Sequence, residues 1–67
     1  MATLTEFGKK IKWRLIDIDQ TDLWLVERVK EKTGLYFDSS YLYKIRTGKL
    51  ANQKIVTAIR EILDLAD

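Results

Sequence analysis

The side chains that most often perform catalysis are missing from this chain, which has no histidine and no cysteine. The usual nucleophile–base pairs and soft-metal sites therefore have no material to be built from. Its carboxylates show no spacing that suggests an acid/base pair or a calcium loop, and "TGKL" at 47–50 lacks the glycine spacing of a phosphate loop. No enzyme activity, catalytic residue, metal, cofactor or small-molecule ligand is expected. The segment "FDSSYLYKIRTGK", Phe37 to Lys49, offers a different chemistry. It opens on an acid and two hydroxyls, mixes tyrosines and apolar residues with cations, and closes on Gly-Lys. No acid occurs from Ser39 through Arg60, whereas Lys44, Arg46, Lys49, Lys54 and Arg60 all fall there. Hydroxyls, aromatic rings and positive charge with nothing to repel an anion make a surface suited to anion binding. Taken singly, each cation is better read as solvated surface.

Four amphipathic segments can position these groups. Leu4, Phe7, Ile11, Leu15 and Ile18 recur at three- and four-residue steps, the period of one helix face. Thr5 is a candidate cap for that helix, although Ala2–Thr3 could begin it earlier. Lys9, Lys10 and Lys12 lie away from the stripe and, with Arg14, form a basic cluster. A second helix is expected to start at Thr21 and to bury Leu25, Val26 and Val29, with Asp22 favourable at its positive end. Gly34 should stop it, with Leu35 folding back onto the last turn. The third helix is capped by Asp38 and ended by Gly48. Leu42 and Ile45 face inward, Tyr41 sits at the edge, and Ser39, Ser40, Tyr43, Lys44, Arg46 and Thr47 spread over the other side. The fourth runs from about Asn52 to Leu65, burying Ile55, Ala58, Ile59 and Ile62, with Val56, Leu63 or Leu65 flanking. No segment alternates like a half-buried strand.

These segments imply an all-α fold, a compact bundle of about four helices in a single domain, residues 1–67. The chain is 46% apolar and 33% charged, which favours a globule over a disordered tail. With no proline and three glycines, helices joined by short turns are expected. The lack of cysteine suits a reducing cytoplasm. No apolar run approaches the ~20 residues that cross a bilayer, and "MATLTEFGKK" lacks the cation-then-apolar order of a secretion signal. A soluble cytoplasmic protein with no membrane partner is expected.

Two short helices, the second opening on small polar residues and ending in Gly-Lys, resemble the helix-turn-helix of the Cro/C1-type repressor family. The match is best in "FDSSYLYKIRTGK": Phe37 takes the place of the apolar residue in the turn, Asp38 the cap, Leu42 and Ile45 the paired core residues, and Gly48-Lys49 the closing pair. "QTDLWLVERV" looks like the first motif helix, and "EFGKKIKWRLID" and "KIVTAIREILDL" are similar to the flanking helices of short phage and mobile-element regulators. The resemblance implies a transcriptional regulator, repressor or Cro-like, that inserts helix 38–47 into the major groove of double-stranded DNA. It places base contacts at Ser39, Ser40, Tyr41 and Lys44, and phosphate contacts at Thr47, Lys49, Lys54 and the amide end of helix two around Thr21. Two copies on adjacent half-sites are expected, because one such module binds weakly.

The sequence departs from the family in three places. Seven residues, "KEKTGLY", separate Val29 from Phe37 where the family usually has one. Helix two should therefore be longer by about a turn and the connection wider. Asp22 stands where the family often has glutamine near DNA, so it weakens backbone contact or merely caps the helix. Val26 replaces a small residue, in keeping with a wider crossing. Alternatives stand beside several assignments. Ser39 and Ser40 also suit a helix first turn, Tyr41 is equally a core-edge residue, Lys44 and Arg46 read also as ordinary exposed cations, and Tyr43 reads as surface or interface. Trp13 lies off the apolar stripe and Trp24 precedes buried Leu25. Both are candidates for a protein interface, or for packing on the connection, with Trp24 alternatively stacked on Arg28. A helical protein-interaction module, an antirepressor or adaptor using these tryptophans and tyrosines, is thus the second functional reading.

Overall fold

The computed structural model describes residues 3–65 and contains four α-helices: α1 (Glu6–Asp17), α2 (Asp22–Thr33), α3 (Ser39–Thr47) and α4 (Gln53–Leu63). No strand occurs among the described residues, so the fold is all-α. The helices form a globule of 30 × 24 × 22 Å. None is long and apolar enough to cross a membrane among the described residues.

Each helix begins where a short polar side chain can accept from a first-turn amide that helix geometry leaves without a partner. Thr5 accepts from the Gly8 amide, Thr21 from Trp24, Asp38 from Tyr41, and Asn52 from Lys54 and Ile55. Two helices end on glycines in the left-handed region, Gly34 (φ 68°) and Gly48 (φ 81°). The other two end differently: Asp19 (φ 57°) closes the turn after α1, and Asp64 (φ 54°) closes α4. Leu35 lies outside the core cluster. It stays exposed, and its amide is held by the Thr33 hydroxyl, 3.1 Å away.

The core joins Ile11 and Leu15 of α1, Leu25, Val26 and Val29 of α2, Phe37 of the connection, Leu42 and Ile45 of α3, and Ile55, Ile59 and Leu63 of α4. Removing each such side chain from water contributes about 1.5–3 kcal/mol, against the entropy of ordering the chain. Periodicity misassigned one of these positions. Ile62 was expected inside, but Leu63 is the buried residue and Ile62 packs only at the margin. Both satisfy a three- or four-residue step from Ile59, so the helix pattern alone does not choose between them. The regular helix also ends at Leu63, short of Leu65.

α2 continues four residues past Val29 to Thr33, adding the turn that the inserted residues imply. The remaining connection, 34–38, carries Phe37 into the core at 1% exposure. Phe37 also meets the Tyr41 ring, centroid to centroid at 5.1 Å. That apolar anchor fixes where α3 starts.

Candidate nucleic-acid interface

α3 is held at its end by contacts that involve backbone. The Arg46 carbonyl accepts both the Thr5 amide at 3.0 Å and the Thr5 hydroxyl at 3.1 Å, tying the last turn of α3 to the start of α1. Gly8 makes this approach possible: a Cβ placed there would lie 2.2 Å from the Arg46 carbonyl oxygen. The Arg46 side chain completes the junction. Its two terminal nitrogens donate to the two oxygens of Asp22 at 3.0 and 3.1 Å, a bidentate pair from α3 to the first turn of α2. The guanidinium is largely covered, and its Nε is buried with no hydrogen-bond partner.

The outward side of α3 is bare by contrast. Ser39, Ser40, Tyr43 and Lys44 are exposed, with Ser39–Tyr43 and Ser40–Lys44 each one turn apart. The two serine hydroxyls have no hydrogen-bond partner among the described residues. Among the described residues two acids lie near this face: Asp22, held by Arg46 in the groove beside Tyr43, and the cap Asp38, engaged by the Tyr36 hydroxyl and the Tyr41 amide. Those two bonds, in that order, hold its carboxyl below its ordinary pKa, with a smaller contribution from Lys44. The same pairing raises the Tyr36 phenol. A carboxyl held below its ordinary pKa stays ionised at neutral pH, so Asp38 keeps its negative charge at the N-terminal end of this face.

The expected site residues do not all lie together. Ser39, Ser40 and Lys44 share the open face. Tyr41 is half-buried with its ring against Phe37, so the core-edge position is the one observed. The Thr47 hydroxyl donates back to the carbonyls of Tyr43 and, at longer range, Lys44. The Lys49 ammonium lies 5.9 Å above the Tyr43 ring, next to the open face. Thr21 borders a groove shared by Lys12, Ile16, Gln20, Asp22, Tyr43 and Arg46, so the amide end of α2 opens beside α3. Lys54 lies elsewhere, in a groove with Lys32, Thr33, Gln53, Thr57 and Glu61 that shares no residue with the first.

Three cations assigned to basic surface are occupied within the molecule. Arg46, expected on the solvent side, is the clamp to Asp22. Arg14, grouped with the exposed lysines of α1, donates from Nε to the Leu63 carbonyl at 2.8 Å and ties α1 to the end of α4. Arg60 lies over the Phe7 ring at 4.9 Å. The reason is common to all three: a long apolar stem covers hydrophobic surface while a planar head bonds at the margin. Arg28 pairs with Glu31, and Trp24 packs against the edge of the core. Trp13 is 62% exposed.

Sequence reasoning missed the Arg46–Asp22 pair; it read Tyr43 as a surface or interface residue and not a base reader, and Tyr43 stands exposed on the open face. Periodicity puts Tyr43 there; the 24-residue separation of Arg46 and Asp22 has no local signal. No model of a known family matches this chain, and no curated protein or solved structure shows a significant match to it.

Proposed function

We propose that this protein is a sequence-specific double-stranded DNA-binding transcriptional regulator, repressor or Cro-like, that works as a helix-turn-helix of α2 and α3. The observation that carries this reading is the acid-free outer side of α3, where Ser39, Ser40, Tyr43 and Lys44 are all exposed. An α-helix of this width enters the major groove of B-DNA, and short hydroxyls in its first turn allow close approach to base edges. Ser39, Ser40 and Lys44 are the base readers in this reading, with Tyr43 alongside them. The amide end of α2 at Thr21, together with Lys49, meets phosphates on one side. Two copies bind half-sites about one DNA turn apart.

The test is duplex selection from a random pool, followed by titration of the selected sequence at several salt concentrations. Affinity should fall linearly on a log–log scale with a slope near the number of phosphates contacted. Absence of duplex binding at low salt ends the proposal. The second reading, a protein-interaction module, is favoured by exposed Trp13, Ile16 and Tyr36. It prevails if duplex binding is absent while a Trp13 change abolishes association with a protein.

A further inference from the structure

The outer face of α1, whose Lys12 and Ile16 border the groove beside Thr21 and Tyr43, carries the largest exposed aromatic ring of the described residues, Trp13 at 62%, beside Ile16 at 58%. Trp13 lies opposite the stripe of Ile11 and Leu15 that enters the core, and Ile16 on its flank. Lys10, Trp13 and Asp17 succeed one another at steps of three and four residues, so they share one side of the helix. Lys10 and Asp17 are then about 10 Å apart along the axis, with Trp13 between them. Both are exposed, and neither has an ion-pair partner among the described residues. From Lys10 to Asp17 this stripe is basic at one end, acidic at the other and aromatic in the middle, with Glu6 exposed one further turn before Lys10. Turned end for end, it complements itself.

We infer that α1 pairs antiparallel with α1 of a second copy, Trp13 near the twofold axis and Lys10 of each copy opposite Asp17 of the other. A twofold interface requires a patch that matches itself, and the order cation–aromatic–anion provides that match. Two ion pairs form per dimer, and Ile16 lies against the aliphatic stems of Lys9 and Lys12. Antiparallel helices also bring opposite dipole ends together. The face of a single helix is small for an interface, so association falls in the micromolar range. The pairing supplies the second copy that the DNA-binding reading calls for, but its test contains no DNA, so the two fail separately.

Sedimentation equilibrium over a wide range of protein concentration measures it. The wild-type chain should move from one-chain to two-chain mass as concentration rises. Trp13→Ala should weaken association at least ~10-fold, as loss of a central aromatic does. Lys10→Glu and Asp17→Lys should each weaken it roughly tenfold at low salt. The double variant carrying both reversals should recover the wild-type value, and an equimolar mixture of the two single variants should associate with each other. These positions are exposed, and helical circular dichroism checks that each variant folds. A chain that stays monomeric at every concentration overturns the inference. So does a dimer indifferent to Trp13, or a double reversal no better than either single one.

Discussion

The two ends of α3 are built in opposite ways. Its last turn is locked: backbone to backbone against Thr5 and Gly8, and side chain to side chain against Asp22. Its first turns are locked on the inner side, by Phe37, Leu42 and Ile45, and leave Ser39, Ser40, Tyr43 and Lys44 exposed, with Lys49 over the Tyr43 ring. One helix therefore has an end that the rest of the protein specifies and a face that it leaves free. Precise placement of an unpartnered surface is what recognition of an external molecule needs, because the partner then does not have to order it.

Predictions that break or sharpen this contrast run from the locked end to the open face. Gly8→Ala should have the largest effect. Helix propensity alone favours alanine by about 1 kcal/mol, but the new methyl would meet the Arg46 carbonyl at 2.2 Å. A net loss of about 3 kcal/mol in chemical denaturation is expected, and a neutral or stabilised variant would show that the junction is loose. Arg46→Ala should cost about 1–2 kcal/mol through lost packing and the lost bidentate bonds. Arg46→Lys should recover only part, since an ammonium cannot bridge both Asp22 oxygens in the same way.

Acid should act next, at the other end of α3. Asp38 has a depressed carboxyl, chiefly because of Tyr36 and then the Tyr41 amide. Its contribution is present above the unfolded value of about 4 and is lost as pH falls through the folded one. Tyr36 has the opposite sign: its raised phenol contributes below the ordinary tyrosine value, and that contribution is lost as pH rises through the folded one. Following the Tyr41 amide by NMR should show the α3 cap loosening at low pH. Asp38→Asn keeps an acceptor at the cap and should flatten the acid limb. Persistence of the limb in that variant would assign it to another carboxylate.

Lys44→Ala and Ser40→Ala should change stability least, within about 0.5 kcal/mol. Their effect should appear in duplex binding instead. Lys44→Ala should weaken the selected site by roughly 1–3 kcal/mol and relax its specificity, whereas Lys49→Ala should weaken all sequences alike. A stability loss above 1 kcal/mol at Ser40 or Lys44 would mean that this face is not free, and would remove the contrast from which the functional reading starts.

Much of this arrangement was legible locally. Thr5, Thr21, Asp38 and Asn52 were readable as caps, and Gly34 and Gly48 as stops, because capping and left-handed backbone depend on one residue and its near neighbours. The inner faces of α1, α2 and α3 followed from three- and four-residue periodicity. The extra turn of α2 was legible because seven residues between Val29 and Phe37 had to go somewhere. The exposed side of α3 follows from the same periodicity, whereas Ser39, Ser40, Tyr41 and Lys44 were named together as base contacts by the family resemblance alone.

Position along the chain did not fix where long cations end. Arg14, Arg46 and Arg60 look alike as basic residues, yet one bonds the Leu63 carbonyl, one clamps Asp22 and one covers Phe7. Choices of that kind depend on which acceptors and rings arrive from elsewhere within reach of a flexible stem. The same dependence separated Leu63 from Ile62, packed Trp24 inward, and set Thr21 and Lys54 in different grooves. Sequence by itself determined the four helices, their limits to within a residue or two, and the face each turns inward, since those follow from local geometry and burial. Tertiary structure alone decided which charges remain free and which are tied down, since those depend on distances between residues far apart in the chain.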